Sequence, residues 1–341
     1  MTKRVFITDC EGPISVNDNA FELAGEFIED GEKFFSIISK YDDYLADEIK
    51  KPGYNAGDTL KLIAPFLKAY GLTNNKIIEY SKNNVHLISY AQETLQFISR
   101  TMPAYIVSTS YQQYIKALCD LTGFPLENTY STQLDLDAFP LKSEEKLELK
   151  NLRNKIMNNP ETENLDEIFW KKIPGMGIGK LIHHVKTVGG EGKKRAVEEI
   201  LTKNKLNPSQ LMYVGDSITD VQPLKLAREN EGIAVSFNGN EFALREAEIA
   251  VISNNTIITS ILADLFNRFG RAYLIEFVKS YQRNAPRALE NFRLNLQLLK
   301  KIEKFEKPLV SVIDDDNRDE LTNMSIKLRK KVRGEAIGGL G

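Results

Sequence analysis

The 341-residue sequence is poor in the residues that form cross-links or metal centres, with two cysteines, three histidines and one tryptophan. Cys10 and Cys119 are too few for a disulfide framework and suit a reducing compartment. No apolar run reaches the roughly 18 residues that a membrane span needs, and the N-terminal segment lacks the apolar core of a signal peptide. We therefore expect a cytoplasmic protein without a membrane partner.

The sequence also lacks an excess of either charge. Lys and Arg number 45 and Asp and Glu number 47, for a net charge of −2. A balanced net charge does not provide the excess of positive charge that is typical of proteins that bind DNA or RNA, so we expect no nucleic-acid partner. The basic run at residues 327–333 is interpreted as a solvated helix face.

Five short apolar runs, rich in β-branched or aromatic residues, predict buried strands. They lie at residues 5–7, 105–107, 211–214, 233–235 and 250–252. Helical patterns separate most of them, for example at residues 113–121, 194–203 and 221–228. Strands that alternate with helices favour an α/β fold with a parallel sheet.

Three regions fall outside this alternation. Residues 16–95 contain almost no strand signal and predict a helical module, with Asp18 and Asp58 as candidate N-caps. Residues 130–190 predict an irregular insertion with a charged helix at 143–157, and residues 263–341 predict a helical C-terminal extension. The predicted core therefore comprises residues 1–15 and 96–262.

Polar residues that could take part in catalysis or ligand binding follow three of the predicted strands. In a parallel α/β sheet, ligands bind outside the carboxyl ends of the strands, so these side chains are expected to converge. They are Asp9 after the first run, Ser108 and Thr109 after the second, and Asp216 and Asp220 after the third. Lys193 and Lys194 lie where the helix before the third strand begins.

Together, these residues are consistent with a phosphoryl-transfer site. Two carboxylates that face one cavity repel each other unless a cation joins them, and Mg²⁺ binds few protein carboxylates together with substrate phosphate. A carboxylate can also act as a nucleophile and form an aspartyl-phosphate. A lysine and a hydroxyl would then neutralise and orient the phosphoryl oxygens.

The order Asp-x-acid-Gly, hydroxyl, Lys and Gly-Asp-x-x-x-Asp resembles that of the haloacid dehalogenase superfamily of phosphohydrolases, and the phosphoserine-phosphatase branch most closely. The resemblance covers roughly residues 3–15 and 96–262. It implies a Rossmann-like core, and it identifies residues 16–95 as a helical cap inserted after the first strand. It also implies Mg²⁺ as the cofactor and a small phosphorylated substrate.

The resemblance also implies a role for each candidate residue. Asp9 is the expected nucleophile and a metal ligand, Glu11 the general acid/base with its carbonyl on the metal, and Lys193 the bridge between Asp9 and the phosphoryl group. Ser108, with Thr109 as its alternative, would hold a phosphoryl oxygen. Asp216 and Asp220 would bind Mg²⁺, Asp220 would also orient Lys193 or a metal-bound water, and Asn17 and Asp18 are candidates for reading the substrate. A one-residue shift would replace Lys193 by Lys194.

Glu11 is the departure from the pattern, because most phosphatases of this superfamily carry Asp at that position. The additional methylene keeps a carboxyl for acid/base work, but a displacement of about 1 Å can cost roughly 100-fold in rate. The alternative that Glu11 only caps a helix or a turn, and has no chemical role, stays open. The string DCEGP at residues 9–13 also resembles a small archaeal group of the superfamily that is labelled as an energy-converting hydrogenase subunit.

The sequence thus predicts a Mg²⁺-dependent phosphomonoesterase that acts through an aspartyl-phosphate. Two alternatives remain: a phosphotransferase or mutase on the same fold, and a non-catalytic subunit that binds a partner. The sequence does not define the substrate. The C-terminal helices would pack on the chain's own core, or form a homodimer or a larger complex.

Overall fold

A seven-stranded sheet forms the centre of the computed structural model, which describes residues 3–340. Its strands are β1 (Val5–Thr8), β2 (Ala104–Tyr111), β3 (Thr129–Thr132), β4 (Leu211–Gly215), β5 (Ile233–Phe237), β6 (Ile249–Ile252) and β7 (Leu309–Val312). The strand order is β3-β2-β1-β4-β5-β6-β7. All neighbouring pairs are parallel except β6 and β7, which are antiparallel. The predicted core and extension also include residues 1, 2 and 341, which lie outside the described range.

The five predicted strands are present, and the two that the sequence did not indicate lie at the edges of the sheet. β3 reads TYST and β7 reads LVSV. Both are four residues long and include hydroxyl side chains, so neither has the fully apolar character of a central strand. Their edge positions therefore explain why the sequence pattern did not indicate them.

Helices connect and flank the strands, and none of those described is long and apolar enough to cross a membrane. They are α1 (Asn19–Phe27), α2 (Gly31–Asp43), α3 (Thr59–Ala69), α4 (Asn74–Asn83), α5 (Ala91–Thr101), α6 (Gln112–Thr122), α7 (Ser143–Asn158), α8 (Thr162–Glu167), α9 (Lys180–His184), α10 (Glu191–Asn204), α11 (Val221–Glu229), α12 (Glu241–Glu246), α13 (Ile257–Phe269), α14 (Arg271–Arg283), α15 (Ala285–Asn291), α16 (Leu296–Ile302), α17 (Arg318–Arg333) and α18 (Glu335–Gly338).

The sheet is covered by apolar packing on both faces. Successive residues of a strand point to opposite faces, and β1 shows this alternation. Val5 and Ile7 pack on the α10–α11 side, whereas Phe6 packs on the side of α5, α6 and α13. A sheet buried on both faces has near-continuous apolar strands, which is why the sequence indicated the central ones.

The cap is built from two separate insertions. Helices α1 to α4, which follow β1, share one apolar cluster with buried residues between Leu134 and Val185. The 130–190 region, predicted as irregular, therefore contributes α7, α8 and α9 to the cap. By contrast α5, part of which was assigned to the cap, packs on the sheet with Leu95 and Ile98.

Aromatic contacts join the two insertions. The ring of Phe169 stacks on Tyr41 with centroids 5.9 Å apart, and it meets Phe66 edge-on at 6.2 Å. Next to it, Trp170 Nε1 donates a hydrogen bond of 2.7 Å to the hydroxyl of Tyr41. Phe169 is fully buried, so the second insertion is held to the first through this aromatic contact.

The C-terminal extension is part of the main core and includes β7 among its helices. Leu274, Phe277 and Val278 of α14 are fully buried in the apolar cluster that covers the sheet. Tyr281 of the same helix donates a hydrogen bond to the carbonyl of Pro308, just before β7. The chain itself therefore covers the apolar face of α14, and a dimer through these helices stays a prediction.

Phe169→Ala is expected to destabilise the cap by about 3–5 kcal/mol, because it leaves a cavity where a buried ring joins the two insertions. Trp170 is the only tryptophan and lies in the cap, so its fluorescence in a urea titration reports on cap unfolding. Leu147→Ala removes a side chain that is 62% exposed and serves as the control, with an expected change within about 0.5 kcal/mol. Equal midpoints for both variants would contradict this role of Phe169.

Candidate active site

The candidate site lies at the carboxyl ends of β1, β2 and β4. Asp9 directly follows β1, and its backbone N–H still donates to the carbonyl of Val214 in β4 at 2.8 Å. The chain then turns at Gly12, whose φ of +99° lies in the left-handed region that glycine tolerates. A Cβ at Gly12 would overlap the carboxylate of Asp216, so glycine also allows these two segments to approach.

Lys193 joins two of the carboxylates. Its Nζ lies 2.7 Å from Asp9 Oδ2 and 2.7 Å from Asp220 Oδ1, and its side chain is fully buried. Burial alone would lower the pKa of Lys193, but the two carboxylates raise it above its usual value. Lys194 instead points outward, with its side chain 35% exposed and 4.0 Å from Glu191. Of the two candidates, Lys193 is therefore the one at the site.

Asp220 has both carboxylate oxygens engaged within the protein. Oδ1 accepts from Lys193 and from the hydroxyl of Tyr213, each at 2.7 Å. Oδ2 accepts from the backbone N–H groups of Asp216 and Ser217 at 3.0 and 3.1 Å. The arrangement orients Lys193 and fixes the loop after β4, and it leaves Asp220 poorly placed to bind a metal directly.

Asp9 is buried, with 4% of its surface exposed. Its Oδ1 accepts from the backbone N–H of Cys10 at 2.6 Å, and its Oδ2 faces Lys193. Burial raises the pKa of Asp9 to about 7. Lys193 lowers this pKa, and the neighbouring carboxylates Asp220 and Asp216 offset part of that lowering. Asp9 shares Lys193 as a cationic partner with Asp220.

The hydroxyls of β2 lie at the same edge of the sheet. Ser108 is fully buried, and its Oγ donates to Ser110 Oγ at 3.0 Å. Thr109 Oγ1 is buried and has no hydrogen-bond partner among residues 3–340. Ser108 and Thr109 therefore both stay candidates for holding a phosphoryl oxygen, and the free hydroxyl belongs to Thr109.

Glu11 contacts the first helix of the cap. Its Oε1 accepts from the backbone N–H of Asn19, the first residue of α1, at 2.7 Å. The first N–H groups of a helix lack partners within the helix, so this contact stabilises the start of α1. Burial raises the pKa of Glu11 well above its usual value, and a nearby carboxylate, Asp18, raises it further.

Asn17 and Asp18 differ in their availability to a substrate. The amide of Asn17 donates to Glu22 and to the carbonyl of Asn84, and its oxygen accepts from the backbone of His86 and the hydroxyl of Tyr114. Asn17 therefore holds the two chain segments that enter and leave α1–α4, and has no free hydrogen-bonding atom. Asp18 is the N-cap of α1, where its Oδ1 accepts from Phe21 N–H.

Two arginines from α17 complete the site, and sequence reasoning missed both. Arg329 Nη1 is bonded to Asp216 Oδ2, and Arg333 Nη1 lies 3.2 Å from the same oxygen. Their side chains are only 3% and 5% exposed, although the basic run 327–333 was expected to be solvated. The missed signal is a stripe of positions four residues apart, which helical geometry places on one face. The stripe consists of Leu321, Ser325, Arg329 and Arg333.

The chemistry of the donors fits Mg²⁺. One carboxylate oxygen from each of Asp9, Asp216 and Asp220 lies within 4.8 Å of the others, and hard oxygen ligands are those that Mg²⁺ prefers. Each oxygen of Asp220 already has two hydrogen-bond partners, whereas each oxygen of Asp9 has one among residues 3–340, so Asp9 and Asp216 are the residues that would hold the ion. Asp216 would have to share its carboxylate with Arg329 or exchange this partner for the metal.

The mostly parallel seven-stranded sheet with its flanking helices confirms the predicted α/β fold class. A gene product of Archaeoglobus fulgidus, whose name states no activity, matches with a TM-score of 0.81 and 27% identity. The match covers 100% of this chain and 99% of that one. A scan against protein-family models finds no match, and a search of the curated proteins finds none either.

Phosphoserine phosphatases match less well. A substrate-bound complex and an analogue of the phospho-aspartyl intermediate are 15% and 16% identical and each cover 75% of this chain. The matches extend over 95% and 96% of those chains, with a TM-score of 0.48 in both cases. These values are too low to support an argument about activity.

Lys193→Met is expected to destabilise the protein by about 3–5 kcal/mol at pH 8, because it leaves Asp9 and Asp220 buried without their shared cation. Urea unfolding followed by circular dichroism measures the change. Lys194→Met removes the same charge from an exposed position and is expected to change stability by less than about 0.5 kcal/mol. A loss below about 1 kcal/mol for Lys193→Met would contradict the bridging role.

Proposed function

We propose that the protein is a phosphomonoesterase of the haloacid dehalogenase type, acting on a small phosphorylated metabolite. The observation that supports this most directly is the position of Asp9, which lies at the end of the central strand β1 and 2.7 Å from a fully buried lysine. A buried carboxylate held by a cation, with hydroxyls on the adjacent strand, suits nucleophilic attack on a phosphate.

In the proposed reaction, a carboxylate oxygen of Asp9 attacks phosphorus, and the bond from phosphorus to the leaving oxygen breaks. Glu11 gives its proton to that oxygen, consistent with the raised pKa of this carboxyl. Glu11 then takes a proton from water, whose oxygen attacks phosphorus and breaks the bond to Asp9. Inorganic phosphate leaves, and both carboxyls return to their starting state.

Positioning and charge explain most of the catalysis in phosphoryl transfer. Lys193 holds Asp9 in place and would face the phosphoryl oxygens of a substrate bound there, and Asp220 fixes Lys193. Thr109 has an unpartnered hydroxyl among the described residues, so it is the available donor for a phosphoryl oxygen. Mg²⁺, held by Asp9 and Asp216, would shield the negative charge of the phosphoryl group.

Access to the site requires movement. Asp9 is 4% exposed and Asp216 is 1% exposed, so in this conformation a substrate cannot reach them. Closure of a cap after substrate entry excludes water from the reaction, and opening often limits turnover. A closing cap built from two insertions favours a small substrate over a protein.

Phosphate release from p-nitrophenyl phosphate and a panel of small phosphomonoesters tests the proposal. We expect turnover that needs Mg²⁺, stops with chelator, and falls at least about 1,000-fold in Asp9→Asn because the nucleophile is lost. Asp120→Asn, which changes an exposed acid of α6, is expected to retain full turnover. No turnover by the wild type would contradict the proposal and favour the partner-binding alternative. Phosphate passed to an added acceptor rather than to water would favour the phosphotransferase or mutase.

Glu11→Gln separates acid/base work from helix capping. Glutamine keeps an oxygen that can accept from Asn19 N–H, so the midpoint of unfolding is expected to change little. Loss of the transferable proton is expected to lower kcat by about 100-fold to 10,000-fold. Unchanged kcat together with unchanged stability would assign Glu11 to capping alone.

A further inference from the structure

The carboxylate of Asp216 is already paired with cations from the chain itself. Arg329 Nη1 contacts its Oδ2 and also donates to the backbone carbonyl of Asp216 at 3.2 Å. Arg333 Nη1 approaches the same Oδ2 at 3.2 Å. A guanidinium cannot lose its proton in a protein, so both arginines bring full positive charges to this oxygen.

Helix α17 is seated so that these arginines are held in place. Ser325 Oγ donates to the carbonyl of Gly239 at 2.6 Å, one turn before Arg329, and Leu321 is buried two turns before it. Burying an arginine is costly unless it is paired, so the pairing with Asp216 is part of what docks the helix. The contact is therefore built into the fold.

The same helix also reaches the cap. Arg333 donates to the carbonyls of Val16 and Asn17, in the segment that leads from Asp9 into α1. After α17 ends, Ile337 and Leu340 pack against the apolar cluster of the cap. The C-terminal residues thus contact Asp216, the segment that leads into the cap, and the cap itself.

The geometry points to Arg329, supported by Arg333, as a resident cation that competes with a divalent metal for Asp216. Both arginines contact Oδ2 of Asp216, so a metal bound to this buried carboxylate would lie beside a guanidinium, and two positive species side by side repel each other. Metal binding then displaces the arginines from Asp216 and weakens the docking of α17. Because Arg333 also holds Val16 and Asn17, the same displacement loosens the cap connection.

The inference uses the metal site of the proposed function but can be tested without turnover. Mn²⁺ alone serves as the probe, and its free concentration is measured by electron paramagnetic resonance during titration of the full chain. We expect Arg329→Met to bind Mn²⁺ at least about tenfold more tightly than the wild type, because the competing cation is gone. Lys331→Met removes an exposed positive charge from the same helix and is expected to stay within about twofold of the wild type.

A second measurement uses the wild type and so does not depend on how the variant folds. Competition is reciprocal, so saturating Mn²⁺ is expected to increase amide hydrogen exchange across residues 318–333. Exchange in α14, which packs in the apolar cluster of the sheet and carries none of the candidate site residues, serves as the internal reference. Arg333→Met, which keeps Arg329 on Asp216, is expected to show a smaller gain in Mn²⁺ affinity than Arg329→Met.

Three results would overturn the inference. They are equal Mn²⁺ affinity for the wild type and the arginine variants, no Mn²⁺ binding by any of them, and Mn²⁺ binding to the wild type without a change of exchange in α17. Tighter Mn²⁺ binding by the arginine variant, together with a wild type that hydrolyses no phosphomonoester, would support the competition and reject the proposed phosphatase, so the two failures can be told apart.

Discussion

The rest of the site depends on one constraint, which is that three carboxylates are buried close together where the strands of the sheet end. Asp9, Asp216 and Asp220 bring oxygens within 4.8 Å of one another, and water cannot screen them. Burial without partners would cost several kcal/mol for each charge. Lys193 therefore pairs with Asp9 and Asp220, and the arginines of α17 pair with Asp216. The fold brings these cations from distant parts of the chain.

This requirement explains why the C-terminal extension belongs to the molecule's core. α14 fills the apolar layer on one face of the sheet, and β7 adds an antiparallel edge strand next to β6. These elements set the position of α17, which begins six residues after β7 ends. Without them, Arg329 and Arg333 would have no rigid support near Asp216. The extension thus serves packing and electrostatics together.

The sequence was sufficient to predict the central strands of the sheet and the acidic residues of the candidate site. The central strands are apolar because both faces of the sheet are buried, and Asp9 and Asp216 follow strands directly. The division of the cap into two insertions could not be predicted, because helices α3 and α7 meet only through tertiary packing. Arg329 was missed for a related reason: a basic residue in a charged run is usually solvated, and only its contact with Asp216 makes burial favourable.

Glu11 shows how the same short segment links Asp9 to the cap. It lies two residues after Asp9, and its longer side chain reaches the backbone N–H of Asn19 at the start of α1. From the other side, Arg333 holds the carbonyls of Val16 and Asn17. Both contacts fix residues 9–19, so a shift of the cap is transmitted to the carboxyl groups at the end of β1. An aspartate at position 11 would be one methylene shorter, so it would reach the backbone N–H of Asn19 only if the chain between Asp9 and α1 shifted.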